Sequence, residues 1–267
     1  ANYKDIVLTA NATDITFTNV SFNKSRVAFV PRDLDFPTEK NNIISNCNYG
    51  VSLSGSDAII SDNEIKLNYG GILITAYSDA VIEGNNISNN EFNGIDIIES
   101  IANENNPIVI DNNVMANSNY GIYVNSNGTA NITRNIIRIN QYGGVYVDNS
   151  AAYIFDNSIY NNFNGSGVTE EDSNSIIIGN LIYDNYKEGV LVFGKSGSVI
   201  EKNGIMDNNN GILARDGNFG NLVVYDNAIN TSNENGIKLE NFAAANITLN
   251  DIGVNERDGI WTNNSVV

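Results

Sequence analysis

The chain has 267 residues, 42% apolar and only 17% charged, with a net charge of −17. That is apolar enough for a continuous core, so it is no disordered polyelectrolyte, and the acidity excludes the basic surface that nucleic acid requires and disfavours an anionic membrane surface. It holds no histidine, one cysteine (Cys47) and no apolar run long enough to span a membrane, which excludes His-dependent nucleophilic triads, an intrachain disulfide and membrane insertion.

Residues 1–41 are expected to form an N-terminal cap. Within it residues 13–30, ITFTNVSFN…VAF, form a degenerate first coil, and PRDLDFPTEK forms a closing polar loop. From Asn42 onward one pattern recurs: N-x-I-x-x-N, a short variable stretch, then G-[IV]-x-[ILV]. Its first asparagine falls at Asn42, Asn63, Asn85, Asn112, Asn135, Asn157, Asn180, Asn203, Asn227 and Asn250. Most steps are 21 to 24 residues, and the step from Asn85 to Asn112 is 27. The Gly–aliphatic pair recurs from Gly50-Val51 to Gly259-Ile260.

Inside each repeat, apolar residues alternate at period two in short runs such as GIYV and NIIR, which is strand periodicity. Three short strands per 22–23 residues, parted by Asn and Gly, suit one turn of a parallel β-helix. The prediction is an all-β rod of about ten coils spanning residues 42–267, stacked at roughly 4.8 Å. Asparagine makes up roughly a fifth of the chain. It tolerates the left-handed bend at a tight corner, and its amide both donates and accepts, so Asn63 through Asn250 can bond along the stack as a ladder. The repeated glycines are expected to permit the bend into the next strand.

The pattern N-x-I-x-x-N…G-I-x-L resembles the right-handed parallel β-helix repeat of the pectate-lyase-like superfamily, most of all the NosD-like repeats of archaeal and bacterial surface proteins. The resemblance covers residues 42–262 well and 13–30 loosely. It implies the fold and an extracellular or cell-surface location. It does not choose a function, because relatives include polysaccharide lyases, uronate epimerases, glycoside hydrolases, copper-enzyme accessory proteins and adhesins. The family's His-containing active sites have no counterpart here, and copper handling lacks its usual ligands.

Sites are sought where the repeat breaks. IESIANENNP at 98–107 reads as an inserted loop with Glu99 and Glu104 solvated. Counting from each Gly–aliphatic pair, the outward residues of that strand are Ser52, Leu73, Asp96, Tyr123, Tyr146, Thr169, Leu191, Leu213, Lys238 and Trp261. The resemblance implies that this face carries a substrate cleft. Asp96, Tyr123, Tyr146 and Thr169 are the expected sugar-binding residues, by ring stacking and hydrogen bonding.

Glu170 falls at an inward position held by Val124, Val147 and Val192 in other coils. A lone charge there costs several kcal/mol. The strand is therefore expected to bulge and turn Glu170 outward beside Glu171 and Asp172, the alternative being a cation or polar partner inside. With Asp148, these acids are the catalytic candidates for paired-carboxylate glycoside hydrolysis. Glu170, Glu171 and Asp172 are also the candidate ligands for calcium, which with a Lys or Arg base supports β-elimination from a uronate. Lys187, Lys195 and Arg215 follow within two coils but are not expected on the same face, so no complete constellation is evident.

Two features point to partners. An aromatic follows the second asparagine in seven coils: Tyr49, Tyr69, Phe92, Tyr120, Tyr142, Phe163 and Tyr186. It reads as a packed corner ladder or as a contact stripe for another subunit or a glycan. The last coil, GIWTNNSVV, has no evident cap, and an open edge invites self-association. Among many N-x-[ST] sequons, Asn127 and Asn164 are the expected glycosylation sites. The reading is an extracellular envelope protein with a structural, self-assembling or adhesive role and no certain cofactor. The alternative is a polysaccharide lyase, glycoside hydrolase or glycan-binding module.

Overall fold

A computed structural model of the chain describes residues 16–18, 21–23, 27–29, 38–76, 78–99, 106–217, 221–242 and 244–267. The strands form three parallel 11-stranded sheets, and every third strand in sequence joins the same sheet. The first sheet runs from Thr16–Thr18 to Ala244–Thr248, the second from Ser21–Asn23 to Asp251–Gly253, and the third from Val27–Phe29 to Ile260–Asn263. At one strand spacing per coil the stack is roughly 50 Å long. The strands Thr16–Thr18, Ser21–Asn23 and Val27–Phe29 pair in register with the coil that follows. Thr38–Lys40, expected as the end of a loop, is instead a strand between Thr16–Thr18 and Ile59–Ser61. In the predicted insertion, Ile98 closes a strand and Glu99 is an exposed corner with φ 52°, while Glu104 lies outside the described residues.

The core is a set of aliphatic columns, one residue per coil. Ile65, Ile87, Val114, Ile137, Ile159, Ile182, Ile205 and Ile229 stack in the second sheet, all fully buried. Each such side chain is worth about 2 to 3 kcal/mol relative to exposure. Cys47 is buried, and its thiol donates to the Ser45 carbonyl at 3.2 Å.

The corners correct the expected role of asparagine. The left-handed residue is the one before each ladder asparagine, as at Asp62, Asp111, Arg134 and Asp156, where φ is 53–56°. The ladder asparagines hold the stack instead. Asn135 Nδ2 donates to Asn157 Oδ1, Asn157 Nδ2 to Asn180 Oδ1 and Asn180 Nδ2 to Asn203 Oδ1, each at 3.0 Å. The same amides also donate inward to the carbonyls of Val109, Ile132 and Ile154. The ladder runs unbroken from Asn42 to Asn250. A second ladder joins Asn68, Asn90, Asn117, Asn140, Asn162, Asn185 and Asn208.

The recurrent glycines serve space rather than left-handed geometry. A Cβ at Gly121 would stand 2.6 Å from Ile137 Cγ2 and 2.8 Å from the Gly144 carbonyl of the next coil. No side chain fits between coils at that point.

Candidate functional site

The outward stripe of the third sheet lies in the predicted register: Leu73, Asp96, Tyr123, Tyr146, Thr169, Leu191, Leu213, Lys238 and Trp261 are successive partners. Tyr123 and Tyr146 lie with ring centroids 5.3 Å apart, tilted by 36°. Tyr120 joins them, 4.8 Å from Tyr146 and 6.1 Å from Tyr123. Tyr120 read in sequence as a member of the corner stripe, yet it pairs with Gly143 inside the strand, where no side chain blocks its ring.

Tyr123 and Tyr146 are each bound to a carboxylate. The Tyr123 hydroxyl donates to Asp148 Oδ2 at 3.1 Å and accepts from Asn125 Nδ2 at 2.6 Å. The Tyr146 hydroxyl donates to Glu171 Oε2. Burial, then the neighbouring Asp148, hold the Tyr123 hydroxyl well above the ordinary tyrosine range; burial and Glu171 do the same for Tyr146. Both phenols therefore stay protonated and act as donors rather than as phenolate bases.

Beside this cluster lies an open groove. Tyr120, Tyr142, Tyr146, Thr169, Leu191, Phe193, Lys187 and Arg215 line it. The Arg215 guanidinium sits 5.6 Å from the Phe193 ring centroid. The expectation that no base shares this face is thus overturned for these two residues. Lys187 pairs with Gly165 in the turn that leads into the strand, and Arg215 ends its own strand in the Glu171–Phe193 column. Lys195 stays apart, its backbone N–H donating to Asp172 Oδ1 at 2.7 Å.

Two predicted residues behave otherwise. Asp96 has its place on the outer face but is only 1% exposed. Asn93 Nδ2 donates to its Oδ1 at 2.5 Å, the Tyr49 hydroxyl is its other neighbour, and Oδ2 lacks a partner. Burial outweighs both donors and pushes its carboxyl up to about 6. Tyr49 rises reciprocally to about 12, through burial first and Asp96 second.

Glu170 does not bulge. It pairs in register between Val147 and Val192 and is fully buried. Ser198 Oγ donates to its Oε2 at 3.2 Å, Ser175 lies close, and Oε1 lacks a partner. Burial pushes its carboxyl up to about 8 against the pull of both serines. The sequence held a signal for this arrangement. Ser175 and Ser198 stand in the column occupied by Ala130 and Ala152 in preceding coils.

The three consecutive acids therefore separate. Glu170 faces the core, Glu171 faces outward against the Tyr146 hydroxyl, and Asp172 holds a corner at φ 47°. They cannot converge on one calcium ion, and among the described residues no group of three His, Cys, Asp or Glu side chains is placed to hold a metal.

The aromatic stripe is staggered rather than a single column. Tyr49 and Tyr120 pair with Gly70 and Gly143, while Tyr69 and Phe92 stack at 5.5 Å in the turn before the strand. Tyr142, Phe163 and Tyr186 are exposed. Asn127 and Asn164 are exposed corner residues with φ 61° and 54°, as expected of accessible sequons. Thr129 of the first sequon donates to Asn106 Oδ1 at 2.7 Å, and Ser166 of the second is buried against Glu188.

Comparison with known proteins matches the coils directly. The family model described as "Right handed beta helix region" covers residues 5–144 and 120–266. No curated protein sequence matches the chain significantly. Among solved structures, the periplasmic alginate epimerase AlgG superposes with a TM-score of 0.61 at 16% identity, covering 95% of this chain and 77% of that one. The A-module of the Azotobacter vinelandii mannuronan C-5 epimerase AlgE6 gives 0.54 at 16% identity, covering 93% and 64%. Pectate lyase Pel9A gives 0.51 at 15% identity, covering 91% and 69%. At these identities the likeness is one of fold. Among the described residues no helix is long and apolar enough to cross a membrane. Its stacked coils, its paired asparagine ladders and the two matched spans together make the chain a member of the right-handed β-helix family.

Proposed function

We propose that the chain binds an acidic polysaccharide along the outer face of its third sheet. One observation carries the reading: Tyr120, Tyr142 and Tyr146 converge with Thr169, Lys187 and Arg215 on one open groove. Aromatic faces stack on sugar rings, and two cations beside them suit the carboxylates of a uronate chain. In a molecule of net charge −17, such a groove is a local exception that gives an anionic ligand somewhere to land. The solved structures of like fold include two epimerases and a lyase named for uronate polymers, and an extracellular or envelope location fits such a ligand.

Binding is favoured over proton abstraction because both tyrosines bonded to carboxylates are held protonated. Glu171 is committed to Tyr146 and Asp148 to Tyr123, which removes the two outward acids from free general-base work.

Titration calorimetry with polyuronates and with a neutral glucan tests this. Saturable binding of the acidic polymer alone, abolished in Lys187→Ala/Arg215→Ala, is the expected result. No affinity for any acidic polymer overturns it, and unsaturated or shortened products in the same mixtures would replace binding with catalysis.

A further inference from the structure

Beyond the groove, the structure exposes an apolar face that the repeat did not announce. On the outer side of the first sheet, from Ile108–Ile110 to Asn221–Tyr225, two adjacent columns of side chains run the length of six strands. Tyr153 and Phe155 stand at their centre, 52% and 44% exposed, with Ile176 and Ile178 as their partners in the next coil. Only Asn131, Thr133 and Glu201 interrupt the two columns, and Glu201 is neutralised by Lys202.

A half-polar sheet face needs no explanation, but these two columns hold a single charged residue, Glu201, while the chain carries a net −17, and of the charged corners beside them Asp111 is paired with Arg134. Two copies of so acidic a protein repel each other over most approaches. They repel least where carboxylates are fewest, and there each offers the other an identical regular surface. Sheets pack face to face about 10 Å apart through interdigitating side chains. An apolar patch shared by both partners fits a two-fold contact, in which each residue meets its counterpart's neighbourhood. The acidity also makes an anionic lipid surface a poor occupant. The two columns over six strands cover roughly 350 Å² at ordinary strand spacing, less than the roughly 800 Å² per partner of a standard interface. The patch therefore supplies an apolar centre, and polar corner residues must supply the rim.

We infer that this face of the first sheet pairs with the same face of a second copy of the chain, giving a reversible dimer that leaves the groove on the third sheet open. Sedimentation velocity on the protein across a wide concentration range is the test, alongside Tyr153→Glu and Phe155→Glu. The expected result is a mass that rises toward the dimer with concentration in the wild type and stays monomeric in both variants, with unchanged circular dichroism and melting temperature. Because both side chains point outward, the fold should survive. Should either variant lose structure, Phe155→Ser is the milder replacement and is expected to raise the dissociation constant at least tenfold. A chain that remains monomeric at all concentrations, or a dimer that survives these substitutions in folded protein, overturns the proposal.

Discussion

Ser198 Oγ donates a hydrogen bond to Glu170 Oε2 at 3.2 Å within an otherwise aliphatic interior. Glu170 sits between Val147 and Val192, so the serine replaces part of the hydration that the carboxyl lost. It does not replace all of it, because Oε1 has no partner. The group is therefore held as a neutral acid, its pKa pushed up to about 8 by burial.

The sign of the resulting pH dependence is fixed. Between 4.5 and about 8 the folded chain keeps a proton that the unfolded chain has released. This contribution to stability is complete below 4.5 and is lost as pH rises toward 8. The loss is on the order of 5 kcal/mol across the window. Denaturant titrations at pH 5 and pH 8 should show it, and Glu170→Gln should flatten it. Glu170→Val combined with Ser175→Ala and Ser198→Ala should exceed the wild type at pH 8, since a filled apolar site replaces a half-solvated acid. An equally steep pH dependence in Glu170→Gln would falsify the assignment.

Asp96 makes a smaller contribution of the same sign. Its carboxyl is raised from 3.8 to about 6 by burial, so its share of stability is full below 3.8 and gone above 6. Asp96→Asn should therefore gain about 3 kcal/mol over wild type at neutral pH and nothing at pH 3.5. Tyr49→Phe should raise the Asp96 pKa further, because the hydroxyl favours the ionised form. Carboxyl chemical shifts followed by NMR titration would show this directly, and an Asp96 midpoint near 4 would contradict the burial argument.

Asn157→Ala should be among the most damaging single substitutions. Its amide donates to Ile132 O and Asn180 Oδ1, and its oxygen accepts from the backbone and side chain of Asn135. Removing it strands buried groups in two neighbouring coils, at a cost of about 3 kcal/mol. Asn250→Ala, at a half-buried rung, should cost less than half as much. Thermal melts of the two variants compare them, and equal losses would mean that the ladder is not what holds the coils.

In the groove, Lys187→Ala and Arg215→Ala should each weaken binding of an acidic polysaccharide about tenfold and reduce its sensitivity to salt. Tyr146→Phe removes the bond to Glu171 but keeps the ring, so it should change affinity only slightly. Tyr146→Ala should abolish stacking and binding together. If Tyr146→Phe proves as damaging as Tyr146→Ala, the hydroxyl and not the ring contacts the ligand.

The sequence by itself determined the coil, the three parallel sheets and the register of the outward stripe, because strand alternation has a strict period of two and the repeat supplies many aligned copies of it. From Ser52 to Trp261 every predicted outward position lies where counting placed it. What counting could not supply was depth and reach. Asp96 occupies an outward position yet is buried, because Asn93 in the turn before its strand and Tyr49 two coils earlier close over it. Glu170 remains inside because Ser175, just before the following strand, and Ser198, at the same position one coil on, meet it. Lys187 and Arg215, distant from Tyr120 along the chain, reach the same groove because stacking puts successive coils one strand spacing apart. Periodicity fixes the direction of each Cβ, whereas burial, partner and groove depend on side-chain lengths from adjacent coils and on the turns between strands. Those are set only when the coils stack.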